Sequence, residues 1–101
     1  MPKAYWIAFV SVTDPDAYAG YQQHAPAAFA KYGARFLARG GAADTLEGAE
    51  WQRHVVIAFD SKAQALACYN SPEYQAARKH RAGACHANIV VVDGLEPVVP
   101  G

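Results

Sequence analysis

Between His54 and Gln75 the chain reads HVVIAFDSKAQALACYNSPEYQ, a run that changes its period without any linker. Val55-Val56-Ile57-Ala58-Phe59 has the length and β-branched content of a buried strand, and from Asp60-Ser61 the apolar residues recur at helical spacing. A strand passing straight into a helix makes the helix fold back over it. Ser61 is a good N-cap and Gln64, three positions on, completes a capping box, so a helix is predicted from Lys62. Asn70-Ser71-Pro72 stops that helix and starts another. Ser71 caps it, Pro72 suits a first helical position whose N–H would have no partner, and Glu73 favours the positive end of the helix.

The flanking sequence supplies the rest of a two-layer domain. Ala4 to Val12 forms a strand, and Thr13-Asp14-Pro15 is a helix start with Thr13 or Asp14 as the cap. Tyr18, Tyr21, Ala25, Ala28, Phe29 and Tyr32 then recur at spacings of three and four, an apolar stripe suited to cover a sheet. Pro26 removes the bond to the Gln22 carbonyl, which predicts a kink or split near His24-Ala25; Gly33 ends the helix. Arg35 to Arg39 is a second strand, closed by Gly40-Gly41. The third strand starts only near His54, a long connection in which Thr45-Leu46-Glu47-Gly48 can extend the hairpin and Trp51 is the least loop-like residue. Gly83 marks another stop, and Asn88 to Asp93 is the fourth strand, followed by Gly94. One domain is expected over residues 1–94, with 95–101 a C-terminal tail.

The order β-α-β-β-α-β, with a right-handed crossover in each half, is that of the α+β ferredoxin-like sandwich: a four-stranded antiparallel sheet with its helices on one face. The open face of such a sheet should carry polar residues at alternate positions. Here Tyr5, Ile7 and Phe9 on one parity stand against Trp6, Ala8, Val10 and Val12 on the other, and the third and fourth strands repeat the pattern. An apolar open face needs a cover, and a second copy of the chain, in a homodimer through the sheet, is the expected one.

Nine basic and nine acidic residues balance, so no charged field points to nucleic acid as a partner. No apolar run approaches the ~20 residues of a bilayer span, and MPKAYWIAFVSV lacks the form of an export signal. A cytoplasmic protein without membrane partners is expected. The cysteines Cys68 and Cys85 form no redox or zinc motif. His80, Cys85 and His86 would be at most three ligands without paired spacing, so no metal site is expected.

Tyr5-Trp6-Ile7-Ala8, Val12-Thr13-Asp14-Pro15, the stretch KYGARFLARGG over residues 31–41, and Tyr69-Asn70-Ser71-Pro72-Glu73-Tyr74-Gln75 together resemble the domain of unknown function 1330 family. The resemblance runs from residue 3 to about 94, with Ala34 where the family usually has a second glycine. That family is similar to the dimeric α+β barrels, in which two ferredoxin-like subunits pack sheet against sheet. The wider superfamily includes cofactor-free monooxygenases acting on polyketides, lactone isomerases and haem enzymes. The resemblance therefore implies a cleft between sheet and helices without naming a substrate.

The lead to chemistry is the polar side chains on apolar elements. His24, beside the expected kink, can give or take a proton at a ligand or can be an exposed helix histidine. Arg39, on the same strand parity as Arg35, can hold a carboxylate or enolate with its planar fork or pair with Asp44, Glu47 or Glu50. His54, at the start of the third strand, can contact a ligand or can simply open that strand. Trp6, Tyr69, Asn70 and Tyr74 can line a pocket, although core packing, capping and a turn also account for them. No nucleophile elbow, P-loop, GxGxxG or paired-carboxylate motif is present, so no cofactor is expected. The reading is a small protein that binds an aromatic or enolisable acid in the cleft, with cofactor-free monooxygenase or isomerase chemistry open to it. The alternative is a non-catalytic dimeric interaction module.

Overall fold

The computed structural model describes residues 2–95. Side-chain alternation along β1 (Ala4–Val12) decides its interior: Ala4, Trp6, Ala8 and Val10 are buried, while Tyr5, Ile7 and Phe9 are only partly covered. In register, Trp6 stands between Ile57 of β3 (Arg53–Phe59) and Val91 of β4 (Cys85–Asp93), and Ala8 stands between Val55 and Ile89. One parity of all three strands therefore faces the same way. β2 (Arg35–Arg39) joins the far edge of β3, which gives the order β2-β3-β1-β4 with every neighbouring pair antiparallel. The helices α1 (Pro15–Lys31), α2 (Lys62–Tyr69) and α3 (Pro72–His80) pack on the inner parity, where Tyr18, Phe29, Cys68 and Tyr74 join Trp6 and Ile57 in one core. This is the ferredoxin-like α+β sandwich that the element order implies.

Trp6 is the hub of that core. Its ring lies 5.1 Å from Tyr74, 5.2 Å from Phe29, 5.7 Å from Tyr69 and 6.1 Å from Phe59, centroid to centroid. At 1% exposure it has lost nearly all contact with water. Burial of an aromatic side chain of this size stabilises the fold by at most about 4–6 kcal/mol.

Asp14, Ser61 and Ser71 cap the three helices, accepting from the N–H groups of Ala17, Gln64 and Tyr74. Several local expectations change under tertiary packing. The Gln64 side chain does not close a capping box; it donates to the Tyr32 carbonyl and ties α2 to the end of α1. α1 is not split at Pro26 but runs on to Lys31, anchored by buried Ala25, Ala28 and Phe29 around the proline. The connection from Gly40 to Gln52 adds no strand to the hairpin. Its end is pinned instead, by Gln52 Oε1 accepting from Val12 N at 2.8 Å. The fourth strand begins at Cys85 rather than Asn88, because Cys85 to Ala87 pair with Val12 to Val10.

A bulge between Phe36 and Ala38 also overturns the shared parity of Arg35 and Arg39. Arg35 pairs with Ala58 on the outer face, where it meets Asp60, whereas Arg39 pairs with Val55 on the inner face. Of the expected tail only Leu95 falls within the described residues; 96–101 lie outside them. Among the described residues no helix is long and apolar enough to cross a membrane.

Candidate functional site

A cavity opens between the inner face of the sheet and α1. Its floor is apolar, made by Trp6, Ala8, Ile57 and Ile89, and Ala25, Pro26 and Phe29 wall it on the helix side. Gln22 and Pro26 both line it, so the helical turn that lacks a backbone bond borders open space rather than packed core.

The polar lining has one electrical sign. Arg39, Arg53 and Arg81 contribute guanidiniums, Tyr18 and Tyr21 contribute phenols, and among the described residues no aspartate or glutamate lines the cavity. Each cation is held differently. Arg39 is exposed and stacks over Phe36, its Cζ 4.5 Å from the ring centroid. Arg53 is half-buried beneath Gly40. That glycine has φ +70°, and a Cβ built there would lie 2.9 Å from the guanidinium, so the bare backbone makes room for the charge. Arg81, just past the end of α3, donates from Nη2 to the Tyr74 hydroxyl at 3.3 Å and lies 5.1 Å from the Tyr21 ring centroid. The ion pairs among the described residues join Lys31 to Glu73 and Arg35 to Asp60, and neither involves a cavity arginine.

Burial pushes the pKa values of both lining phenols above their ordinary value, and for Tyr21 the neighbouring Tyr74 and the hydrogen bond between them at 2.9 Å add to the effect. Both phenols therefore stay protonated at neutral pH, as donors rather than bases. The site can attract and stabilise negative charge, and its lining carries no side chain suited to remove a proton. The enclosed volume is about 60 Å³. That is less than half of the ~150 Å³ apolar cavity that admits benzene, so a ligand has to displace a lining side chain, and Arg39 and Gln22 are the exposed ones.

Two of the residues singled out from the sequence, Trp6 and Arg39, meet in this lining. The others lie elsewhere. His24 is exposed on the far side of α1, with its Nδ1 2.7 Å from the Gly20 carbonyl oxygen and its ring stacked 4.3 Å from that of His80. His54 sits on the outer face, paired with Phe9 and packed edge-on to it at 5.4 Å, because the period of two turns it away from Arg53 and Val55. Tyr69 packs on Trp6 and Tyr74 in the core, and Asn70 caps α2 by donating to the Leu66 carbonyl at 3.0 Å. Tyr74 is fully buried behind the lining, packed on Trp6 and Phe29, and its hydroxyl meets the Tyr21 hydroxyl and the Arg81 guanidinium. His80, Cys85 and His86 belong to no cluster of three or more metal-ligating side chains among the described residues.

Arg53, Arg81, Tyr18 and Tyr21 were not singled out. Arg53 had a readable signal, since it shares its parity with Val55 and Ile57. Arg81 had none, because Arg78, Lys79 and His80 just before it look alike as cations compensating a helix C-terminus.

A ferredoxin-like sandwich holding a cationic cleft under its first helix is thus the class of protein defined by fold and site. The model of the family described as domain of unknown function (DUF1330) matches residues 3–95, and the chain belongs to that family. No curated protein matches it in sequence. It is similar in structure to a protein of unknown function from Rhodopseudomonas palustris, with a TM-score of 0.78 at 20% identity over 95% of this chain and 85% of that one. It is also similar to SnoaB, a cofactor-independent oxygenase from Streptomyces nogalater, with a TM-score of 0.62 at 10% identity over 100% of both chains. A third likeness is to a dimeric ferredoxin-like protein of unknown function from Bacteroides fragilis, with a TM-score of 0.62 at 16% identity over 91% of this chain and 96% of that one. At such identities the likeness shows the fold alone.

Proposed function

We propose that the protein binds a small aromatic or enolisable organic acid, as its anion, in the cavity beneath α1. The observation that carries this reading is the lining itself: three guanidiniums and two protonated phenols around an apolar floor, without a carboxylate to neutralise them. The apolar floor takes the body of the ligand, and Arg39 meets its charged oxygen at the mouth. The same donors favour an enolate over its parent acid, which lowers the ligand's own pKa and lets the proton leave to solvent. A stabilised enolate is the starting point of cofactor-free oxygenation and of isomerisation alike, and the likeness to a cofactor-independent oxygenase supports that direction. In this reading His24 has no part in the chemistry.

The chain works as a homodimer whose subunits meet through the outer sheet face. Val90 is 53% exposed there and Val92 47%, beside partly covered Tyr5, Ile7 and Phe9. The dimeric B. fragilis protein of the same fold supports this arrangement. A thermal-shift screen of small aromatic and keto acids tests the binding reading. The expected result is stabilisation by at least one acid that is weakened in Arg39→Ala and unchanged in His24→Ala. Acids that bind both variants like the wild type place the site elsewhere, and a protein that binds none is the interaction module instead.

A further inference from the structure

Arg53 and Arg81 enter the cavity without an acidic partner, and both are partly buried. Arg53 Nε is buried and has no hydrogen-bond partner among the described residues. Of the five N–H donors on Arg81, one reaches a phenol, at 3.3 Å. Both charges act on the same neighbour, Tyr18: burial raises its pKa most, and Arg53 and then Arg81 oppose that rise. The two guanidiniums therefore share one neighbourhood of a chain whose formal net charge is zero. A charge held partly out of water is costly until it is paired, and like charges side by side add to that cost. Arg39 differs, because solvent and salt screen an exposed charge.

From this we infer that the ligand is a dicarboxylic acid, two carboxylates on a short apolar body, with one negative charge for each of Arg53 and Arg81. The inference rests on the reading that the cavity binds an organic acid, and it specifies the ligand's charge. One carboxylate leaves a partly buried guanidinium without a counter-ion; two pair both, while Arg39, screened at the mouth, adds to the hold on the nearer one. Each planar fork suits the geometry of a carboxylate. The floor of Trp6, Ala8, Ile57 and Ile89 offers a compact dianion such as phosphate no donors, but it does take an apolar spacer or ring.

The test is isothermal titration of the wild-type protein, at one ionic strength, with succinate, glutarate and phthalate against butyrate and benzoate. At least one diacid should bind about tenfold tighter than the monoacid of matching body, the worth of one added charge-assisted contact. That advantage should vanish as the pH is lowered until the diacid carries a single charge, an arm that needs no variant. Arg53→Gln and Arg81→Gln should each bring the ratio of the two affinities close to one. Diacid and monoacid binding alike to the wild type overturns the dicarboxylate inference and leaves the acid-binding site standing. Failure of every acid overturns both. A preference that survives both Gln variants in folded protein also overturns the inference.

Discussion

Replacing Ser71 by alanine removes a side chain that holds two helices together at once. Its Oγ accepts from the Tyr74 N–H at 3.1 Å, opening α3, and donates to the Cys68 carbonyl at 2.7 Å, closing α2. The first bond is an N-cap, worth about 1 kcal/mol. The second is backed by the Ser71 N–H, which also reaches the Cys68 carbonyl at 3.2 Å, so that acceptor is not orphaned. Its loss adds about 0.5–1 kcal/mol. The sum, about 1.5–2 kcal/mol, corresponds to a fall in Tm of about 6–16 °C in a domain of this size. Urea unfolding at fixed protein concentration should show the midpoint move with the slope unchanged. Glycine sharpens the test. At an exposed N-cap glycine is nearly as good as serine because water reaches the freed N–H, but Ser71 is 3% exposed, so Ser71→Gly should be no more stable than Ser71→Ala. An alanine variant within about 0.5 kcal/mol of wild type, or a glycine variant that recovers the loss, refutes the buried double cap. So does loss of acid binding in a fully stable variant.

Gly33→Ala should cost about 1 kcal/mol by thermal melt, because φ is +71° and the new Cβ would lie 3.1 Å from the Gln64 amide that ties α2 to Tyr32. Burial, with a smaller contribution from Glu73, pushes the Cys68 thiol up to about 11, so iodoacetamide at pH 8 should label half-exposed Cys85 in the native protein and Cys68 only in denaturant. Because that folded pKa lies above the ordinary 9.0, the Cys68 contribution is complete below pH 9 and is lost as the pH rises through about 11; Cys68→Ala should flatten stability over that window. The Glu73 pKa is lowered first by its hydrogen bond from Lys31, so its contribution is present above the ordinary 4.5 and disappears as the pH falls through the lower folded value. Glu73→Gln should remove that acid-side loss.

Where the chain carries its own local signals, sequence and structure agree. Asp14-Pro15, Ser61 and Ser71-Pro72 each cap a helix within a few residues of contact, and strand parity needs only its neighbour. Arg39 and Trp6, which both line the cavity, were legible because they interrupt or anchor strands of plain periodicity. His24 was open to two readings, proton carrier or exposed helix histidine, because helical phase turns on the path through Pro26; the helix follows it unbroken and leaves His24 exposed. His54 lost to Arg53 by a single step of alternation, and the bulge after Phe36 moved Arg35 and Arg39 to opposite faces. Neither choice of face was local, since both parities of these strands are apolar and the packing of three helices selected between them. Arg81 reaches the cavity only because α3 ends beside Tyr21, a tertiary fact with no counterpart in the surrounding KHRAG.

Filling the space under α1 tests whether an acid occupies it, without touching a charge. Ala87, on the inner face of β4, lines the cavity, and in Ala87→Leu the added side chain enters a volume of about 60 Å³ while the outer face is left as it was. Calorimetric titration of this variant, beside wild type, with the acid that binds best should show binding lost in a protein whose Tm and mass in solution are retained. Wild-type affinity in folded Ala87→Leu would contradict the account, because the acid would then be bound somewhere else.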